Sequence, residues 1–152
     1  MSIAGRSSKI ADVSNHYLLD SWAILALLYE EEPAADRVEE LLQQAADGQV
    51  SLFLSVINLG EVFYIFGRRR GVNAAENVVA KIKQLPIRIL PVDEERVLAA
   101  AAYKMKYSIS YADAFAAAAA VELKATLVTG DPELLALAGK VQLEPLHRSP
   151  KM

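Results

Sequence analysis

Four acidic residues fall where a folded chain could bring them together. Asp20 closes the apolar run Tyr17–Asp20, and Asp131 follows the apolar run Thr126–Thr129. Asp113 stands in the first turn of a helical pattern, in Ser-Tyr-Ala-Asp at 110–113, and Glu61 lies about two turns into another, after Val50–Leu54. Converging carboxylates repel one another, and some of their pKa values rise. Hard divalent cations such as Mg²⁺ and Mn²⁺ prefer oxygen ligands and relieve that repulsion. Such an ion polarises a phosphoryl oxygen and lowers the pKa of water, and two ions about 4 Å apart can clamp the attacking and leaving oxygens. Phosphodiester hydrolysis is the natural chemistry of such a set.

The elements that would position these acids are legible as alternating short apolar runs and longer helical patterns. Tyr17–Asp20 reads as a first strand, followed by a helix over Ser21–Glu31 that Pro33 stops. Val38, Leu41, Leu42 and Ala45 form one apolar face of a helix from Pro33 to Asp47, which Gly48 ends. Val50–Leu54 is a second strand, and Ser55 can cap a helix reaching Arg70, with Gly71 beyond it. Asn73 with Glu76 resembles a capping box for a helix over 74–85, which Pro86 ends. Ile87–Leu90 is a third strand; Asp93 and Ser110 can cap helices over 94–106 and 111–124. Thr126–Thr129 is a fourth strand, Asp131-Pro132 opens a short helix, and Val141–Leu143 is a candidate fifth strand. Strands joined by connections of helical length pair in parallel. The expected fold is α/β: a three-layer α/β/α sandwich around a mostly parallel sheet of four to five strands. In such sheets ligands bind beyond the carboxyl ends of the strands, the edge at which the three aspartates should meet.

Each acid also has a purely structural reading. Asp20 can cap the helix after it, Asp113 can pair with Ser110 in a capping box, and Asp131 precedes a proline as an N-cap should. Glu61 fits such a reading less well. Its neighbours Leu59, Val62, Phe63, Ile65 and Phe66 make its helix apolar nearly all round, as in a buried helix, where glutamate needs a partner or a metal. Asn58, one turn earlier, could bond Glu61 or a metal's water shell; a salt bridge to Arg68 or a groove open to solvent is the structural alternative.

Composition bounds the rest. The 152 residues are 53% hydrophobic and 23% charged, enough apolar material for one domain with one core. Without cysteine, the chain has no disulfide, thiolate metal site or cysteine nucleophile, and it suits a reducing, cytoplasmic setting. The longest apolar runs, Trp22–Tyr29 and Ala114–Val121, are far shorter than the roughly 18–20 residues of a membrane span. Residues 1–15 read as a polar extension, 16–147 as the folded domain and 148–152 as a tail, with nothing after Leu146 expected to be ordered. The formal charge of −3 counts against general nucleic-acid binding, although Arg68, Arg69 and Arg70, Lys81 and Lys83, and Lys104 and Lys106 cluster locally.

Three blocks together resemble a known family: LLDSWAIL at 18–25, NLGEVFY at 58–64 and SYADAFAAAAAVELKATLVTGDPEL at 110–134. In order and spacing they are similar to the PIN-domain ribonucleases, and in particular to the VapC-type toxins of toxin–antitoxin pairs. The third block is the specific one, with an aspartate opening an Ala-rich helix and then a strand ending in T-G-D. The resemblance implies that Asp20, Glu61, Asp113 and Asp131 bind one or two Mg²⁺ or Mn²⁺ ions, with Ser21 and Thr129 orienting the site. It implies hydrolysis of RNA to 5′-phosphate and 3′-hydroxyl ends, a homodimer and a cognate antitoxin. The chain departs from the family at Trp22, where a small or polar residue is usual and which would narrow the entrance. It departs also at Glu133 and Leu134, where many members have Asp-Phe, neither being a ligand position in the family.

Among the remaining residues, His16 and His147 read as tail residues without a catalytic role. Arg68–Arg70 complement a helix C-terminus, with RNA phosphate contact as the second reading. Tyr107 and Tyr111 read as packing, and Phe63, Tyr64 and Phe66 as core or dimer contacts. The competing function is a catalytically silent PIN-like module that binds RNA or protein, its acids serving as caps. A phosphotransfer domain is disfavoured because Asp20 is followed by Ser-Trp-Ala rather than by a second acid.

Overall fold

The computed structural model describes residues 15–150. Five parallel strands form one sheet: β1 (His16–Leu19), β2 (Ser51–Ser55), β3 (Arg88–Leu90), β4 (Thr126–Thr129) and β5 (Leu143–Pro145), in the order β3-β2-β1-β4-β5. Seven helices connect the strands: α1 (Ser21–Leu28), α2 (Ala34–Ala46), α3 (Val56–Arg70), α4 (Val72–Gln84), α5 (Glu94–Lys106), α6 (Tyr111–Leu123) and α7 (Pro132–Leu135). Successive strand residues point to opposite faces, so both faces of the central strands are apolar. Leu18, Phe53 and Leu127 pack with Ala100, Phe115 and Leu134 under α5, α6 and α7. Leu19, Leu52, Leu54 and Val128 pack with Ile24, Val38, Leu41, Val62 and Ile82 under α1 to α4. The three-layer sandwich expected from the sequence is the observed fold. Residues 114–120 of α6 are all buried, and the alanines among them let the helix lie close to the sheet.

The chain runs outward from β1 to β2 and β3, then crosses to β4 and β5 on the other side. The order therefore reverses between β1 and β4, and crevices for ligands open at such switch points. Asp20 and Asp131 follow the two strands that flank it.

Several local expectations need correction. The Asn73/Glu76 capping box does not form: α4 starts at Val72, its N-cap is Gly71, and no side chain caps it. Gly71, at φ +93°, reverses the chain in one residue between α3 and α4 and leaves no room for a separate cap. The first helix ends at Leu28 rather than at Glu31, because Glu30 adopts a positive φ of 54°. The fifth strand lies two residues later than its apolar run suggested, at Leu143–Pro145. His16 is not in a tail; it begins β1 and packs edge-on against Phe53. The segment after Leu146, expected to lack order, is docked. Arg148 bridges to Pro33, Ser149 N–H donates to the Glu32 carbonyl at 2.8 Å, and the Arg148 guanidinium pairs with Glu31 at 2.9 Å. Of the expected extension over residues 1–15, all but Asn15 lies outside the described residues. Among the described residues no helix is long and apolar enough to cross a membrane.

Candidate active site

Asp20 is the N-cap of α1 and is 1% exposed. Its Oδ1 accepts from Ala23 N–H at 2.9 Å, as a cap does, while its Oδ2 accepts from the Thr129 hydroxyl. Thr129 Oγ1 in turn accepts from Asp131 N–H at 3.0 Å. One buried hydroxyl thus ties the end of β1 to the end of β4 and fixes both acids at the switch point. Burial is the main force raising the Asp20 pKa from 3.8 to about 7; the Thr129 and Ala23 hydrogen bonds oppose it, and the charges of Asp131 and Glu61 add to it. A solvent-exposed carboxylate serving only as a cap keeps its usual pKa or falls below it.

Asp113 departs further from the cap reading. Ser110 caps α6 by accepting Asp113 N–H at 3.1 Å. In a capping box the Asp113 carboxylate would reach back to Ser110 N–H. Instead that N–H donates to Glu133 Oε1 at 3.2 Å, so an acid from another element fills the role. The Asp113 carboxyl is left, 5% exposed, among other acids. Its pKa is pushed well above the carboxylate range by burial first, then by the charges of Asp131 and Asp20. Carboxylate oxygens of Asp113, Asp131 and Glu133 lie within 4.8 Å of one another. Asp131 caps α7 through Glu133 N–H at 2.9 Å, which leaves its second oxygen for the cluster.

Glu61 joins from α3, though not as its surroundings suggested. The helix is not buried all round: Gly60, Phe63 and Tyr64 are exposed, Phe66 is buried, and Glu61 is half-buried. The periodicity misled because α3 covers the sheet with only one face, at Leu59, Val62 and Phe66. No salt bridge joins Glu61 to Arg68 among the described residues, and its half-buried place matches the alternative of a groove open to solvent. Its Oε1 accepts from the Ser21 hydroxyl at 2.8 Å and from Asn58 Nδ2 at 3.0 Å. Asn58 is fully buried; its Nδ2 also reaches the Ala112 carbonyl at 3.5 Å, and its Oδ1 has no partner among the described residues.

The structure clusters Asp113 with Asp131, sets Asp20 near both and Glu61 near Asp20, with Thr129 bonding Asp20 and Ser21 and Asn58 bonding Glu61. It adds Glu133, which the sequence reading set aside; the i, i+2 spacing of Asp131 and Glu133 around a proline was the available signal. Arg68, Arg69 and Arg70 make no hydrogen bond or ion pair with these acids among the described residues. They lie at the far end of α3, over the rings of Tyr64, Tyr29 and Phe66 respectively. Tyr111 is exposed and packs on Phe115 at 5.0 Å between centroids, and Tyr107 packs on Tyr103.

Trp22 rests on the loop between Thr129 and Asp131. A Cβ at Gly130 would stand 2.4 Å from Trp22 Cη2 and Cζ2, so with the indole in this position only glycine fits there. Gly130→Ala should destabilise the fold by about 1–3 kcal/mol, the usual cost of overpacking, and so lower the midpoint of denaturant unfolding. The double variant with Trp22→Leu should recover most of it. An unchanged midpoint for Gly130→Ala would mean that the indole swings aside freely.

The donor set fits a hard divalent cation. It consists of carboxylate oxygens; two of the carboxyls are raised by burial and mutual charge; and a buried amide oxygen beside Glu61 lacks a donor. A buried unpaired acceptor costs about 1–3 kcal/mol unless a donor such as water reaches it.

Solved structures similar to this chain include VapBC2 of Rickettsia felis bound to a promoter DNA fragment, at TM-score 0.67 and 16% identity, covering 87% of this chain and 99% of that one. VapBC-1 of nontypeable Haemophilus influenzae matches at TM-score 0.63 and 20% identity, covering 86% and 97%. VapC20 of Mycobacterium tuberculosis, a toxin that cleaves the sarcin-ricin loop, matches at TM-score 0.65 and 17% identity, covering 80% and 95%. At these identities the likeness is one of fold. Among curated proteins there is no significant sequence match. The family model for the PIN domain matches residues 17–140, and the chain belongs to the PIN domain family.

Proposed function

We propose that the protein is a Mg²⁺- or Mn²⁺-dependent endoribonuclease and the toxin of a VapBC-type toxin–antitoxin pair. The observation that carries the reading is the bonding of Asp113. Its helix is capped without its carboxylate, and the carboxylate stays buried beside Asp20 and Asp131 at the switch point. A silent module that kept its acids as caps has no use for that arrangement. Asp20, Glu61, Asp113 and Asp131 would hold one or two cations, with Glu133 as an additional carboxylate. The bound cation supplies charge that polarises a phosphoryl oxygen and acidifies water. Thr129 keeps both Asp20 oxygens directed by supplying one hydrogen bond while Ala23 N–H supplies the other. Ser21 and Asn58 fix one oxygen of Glu61, so its second oxygen is the one free to meet a cation. Hydrolysis adds water across the bond from phosphorus to the 3′ oxygen and leaves 5′-phosphate and 3′-hydroxyl ends. A cognate antitoxin and a homodimer belong to the same proposal, supported by the likeness in fold to toxin–antitoxin complexes.

The test is cleavage of a random-sequence single-stranded RNA pool, labelled at its 5′ end. Wild type should cut in Mn²⁺ and stop in EDTA. Glu61→Gln should be slower by at least about 10–100-fold, the loss typical even of groups that only support a metal ligand. No cutting by wild type in Mn²⁺ or Mg²⁺ would refute the nuclease reading.

A further inference from the structure

An acidic site that takes a polyanion needs positive charge near its mouth, since phosphate contacts dominate nucleic-acid affinity. The arginine run at the end of α3 makes no bond to the acids among the described residues, its three guanidinium groups lying over aromatic rings. The segment after β5 brings a different cation. The Arg148 guanidinium lies 5.1 Å from the centroid of the Trp22 ring. The far edge of the same indole touches Gly130, between Thr129 and Asp131, and Trp22 directly follows Ser21, the hydroxyl that holds Glu61. One side chain, Trp22, therefore links Arg148 to the loop that carries Asp131.

We propose that Arg148, seated on Trp22, is a substrate-positioning residue that binds an RNA phosphate beside the scissile one. The proposal rests on the nuclease reading above. Three features hold the guanidinium in place before any ligand arrives. The backbone bridge from Arg148 to Pro33 and the Ser149 N–H bond to Glu32 fix the register of the segment. Trp22 lies against the guanidinium, its ring centroid 5.1 Å away. Glu31, whose side chain is only 11% exposed, takes one N–H at 2.9 Å. An arginine has five N–H donors in a fixed fork, and Glu31 is the one side-chain partner of this guanidinium among the described residues. Its side chain is 53% exposed, so the remaining donors face solvent, where a phosphate can take two of them.

The cleft beside it, about 710 Å³, is also lined by Glu30, Glu31, Glu32 and Arg69. These acids weigh against a phosphate, but two of the three are engaged. Glu31 pairs with Arg148, and Glu32 accepts Asp36 N–H at 2.9 Å at the start of α2. Arg69, stacked on Tyr29 at 4.4 Å, offers a second cation along the same cleft.

Arg148→Met keeps an apolar stem over the indole and removes the charge; Arg148→Lys keeps the charge and removes the fork. Binding of the labelled random-sequence RNA is measured in EDTA by fluorescence anisotropy at several salt concentrations, and cleavage in Mn²⁺ is measured separately. Trp22 is the single tryptophan of the chain, so its emission reports on the site without a label. We expect the Met variant to bind about tenfold more weakly, with the slope of log K against log salt shallower by about 0.7, the value for one phosphate contact on a single strand. KM should rise with kcat unchanged; the Lys variant should keep the wild-type salt slope but bind more weakly. RNA should shift Trp22 emission in the wild type. If the Met variant binds with wild-type affinity and salt slope while the wild type cleaves, Arg148 has no substrate role and the nuclease reading stands. If the wild type neither binds nor cleaves, the nuclease reading falls and this proposal falls with it.

Discussion

Asp113→Asn should melt higher than wild type in EDTA at pH 8 and should lose RNA cleavage in Mn²⁺. At that pH the wild-type Asp113 carboxyl is buried among Asp20, Asp131 and Glu133, where its charged form is disfavoured by burial and by like charge. Asparagine is uncharged and close in shape, and α6 keeps its cap because the capping oxygen belongs to Ser110. The relief should be on the order of 2 kcal/mol, given 1.36 kcal/mol per pKa unit. That corresponds to roughly 4–8 °C in Tm for a chain of this size. Mn²⁺ should reverse the order. At one hundred times its Kd a ligand adds about 2.7 kcal/mol to the species that binds it, and the variant, lacking a ligand oxygen, should gain much less. Stabilisation in EDTA together with loss of cleavage is a pattern that an ordinary helix cap cannot produce. Identical melts in both buffers would make Asp113 an ordinary first-turn acid.

The stability of the metal-free protein should fall between pH 5 and pH 8. Asp20 has its pKa raised from 3.8 to about 7 in the folded protein, chiefly by burial. Between those two values the folded state binds more protons than the unfolded state, so stability declines with rising pH. The contribution is complete below about pH 4 and is lost as pH passes through about 7. Asp113 is raised in the same direction, but the two groups interact, so their effects do not add. Together they should amount to a few kcal/mol, seen as a drop in Tm of roughly 10 °C. Saturating Mn²⁺ should flatten the curve by favouring the ionised acids. A metal-free protein whose Tm is constant or rises from pH 5 to pH 8 would show that the cluster is not electrostatically strained.

Both expectations concern acids that the sequence already singled out, and what made them legible was local. Caps act within one turn, so Asp20, Ser55, Asp93, Ser110 and Asp131 could be placed at helix starts from the sequence alone, and each is an N-cap in the structure. Strand runs such as Thr126–Thr129 were legible because a parallel sheet covered on both faces needs continuous apolar residues. Once the strands are parallel, their carboxyl ends must face the same way, and the aspartates after β1 and β4 follow them.

Tertiary structure decided which of those acids are merely caps. Glu133 takes over Ser110 N–H from 23 residues away, which releases Asp113. Thr129 reaches Asp20 across 109 residues, and Ser21 reaches Glu61 across 40. Arg148 docks against Glu31 across 117 residues, where the sequence suggested a loose tail. The degree of burial of α3 was also set by what packs on it rather than by its own apolar content. A sequence pattern reports forces that act within a turn or along a strand. Bonds across such separations depend on which strands lie side by side, and here that is the placing of β1 between β2 and β4.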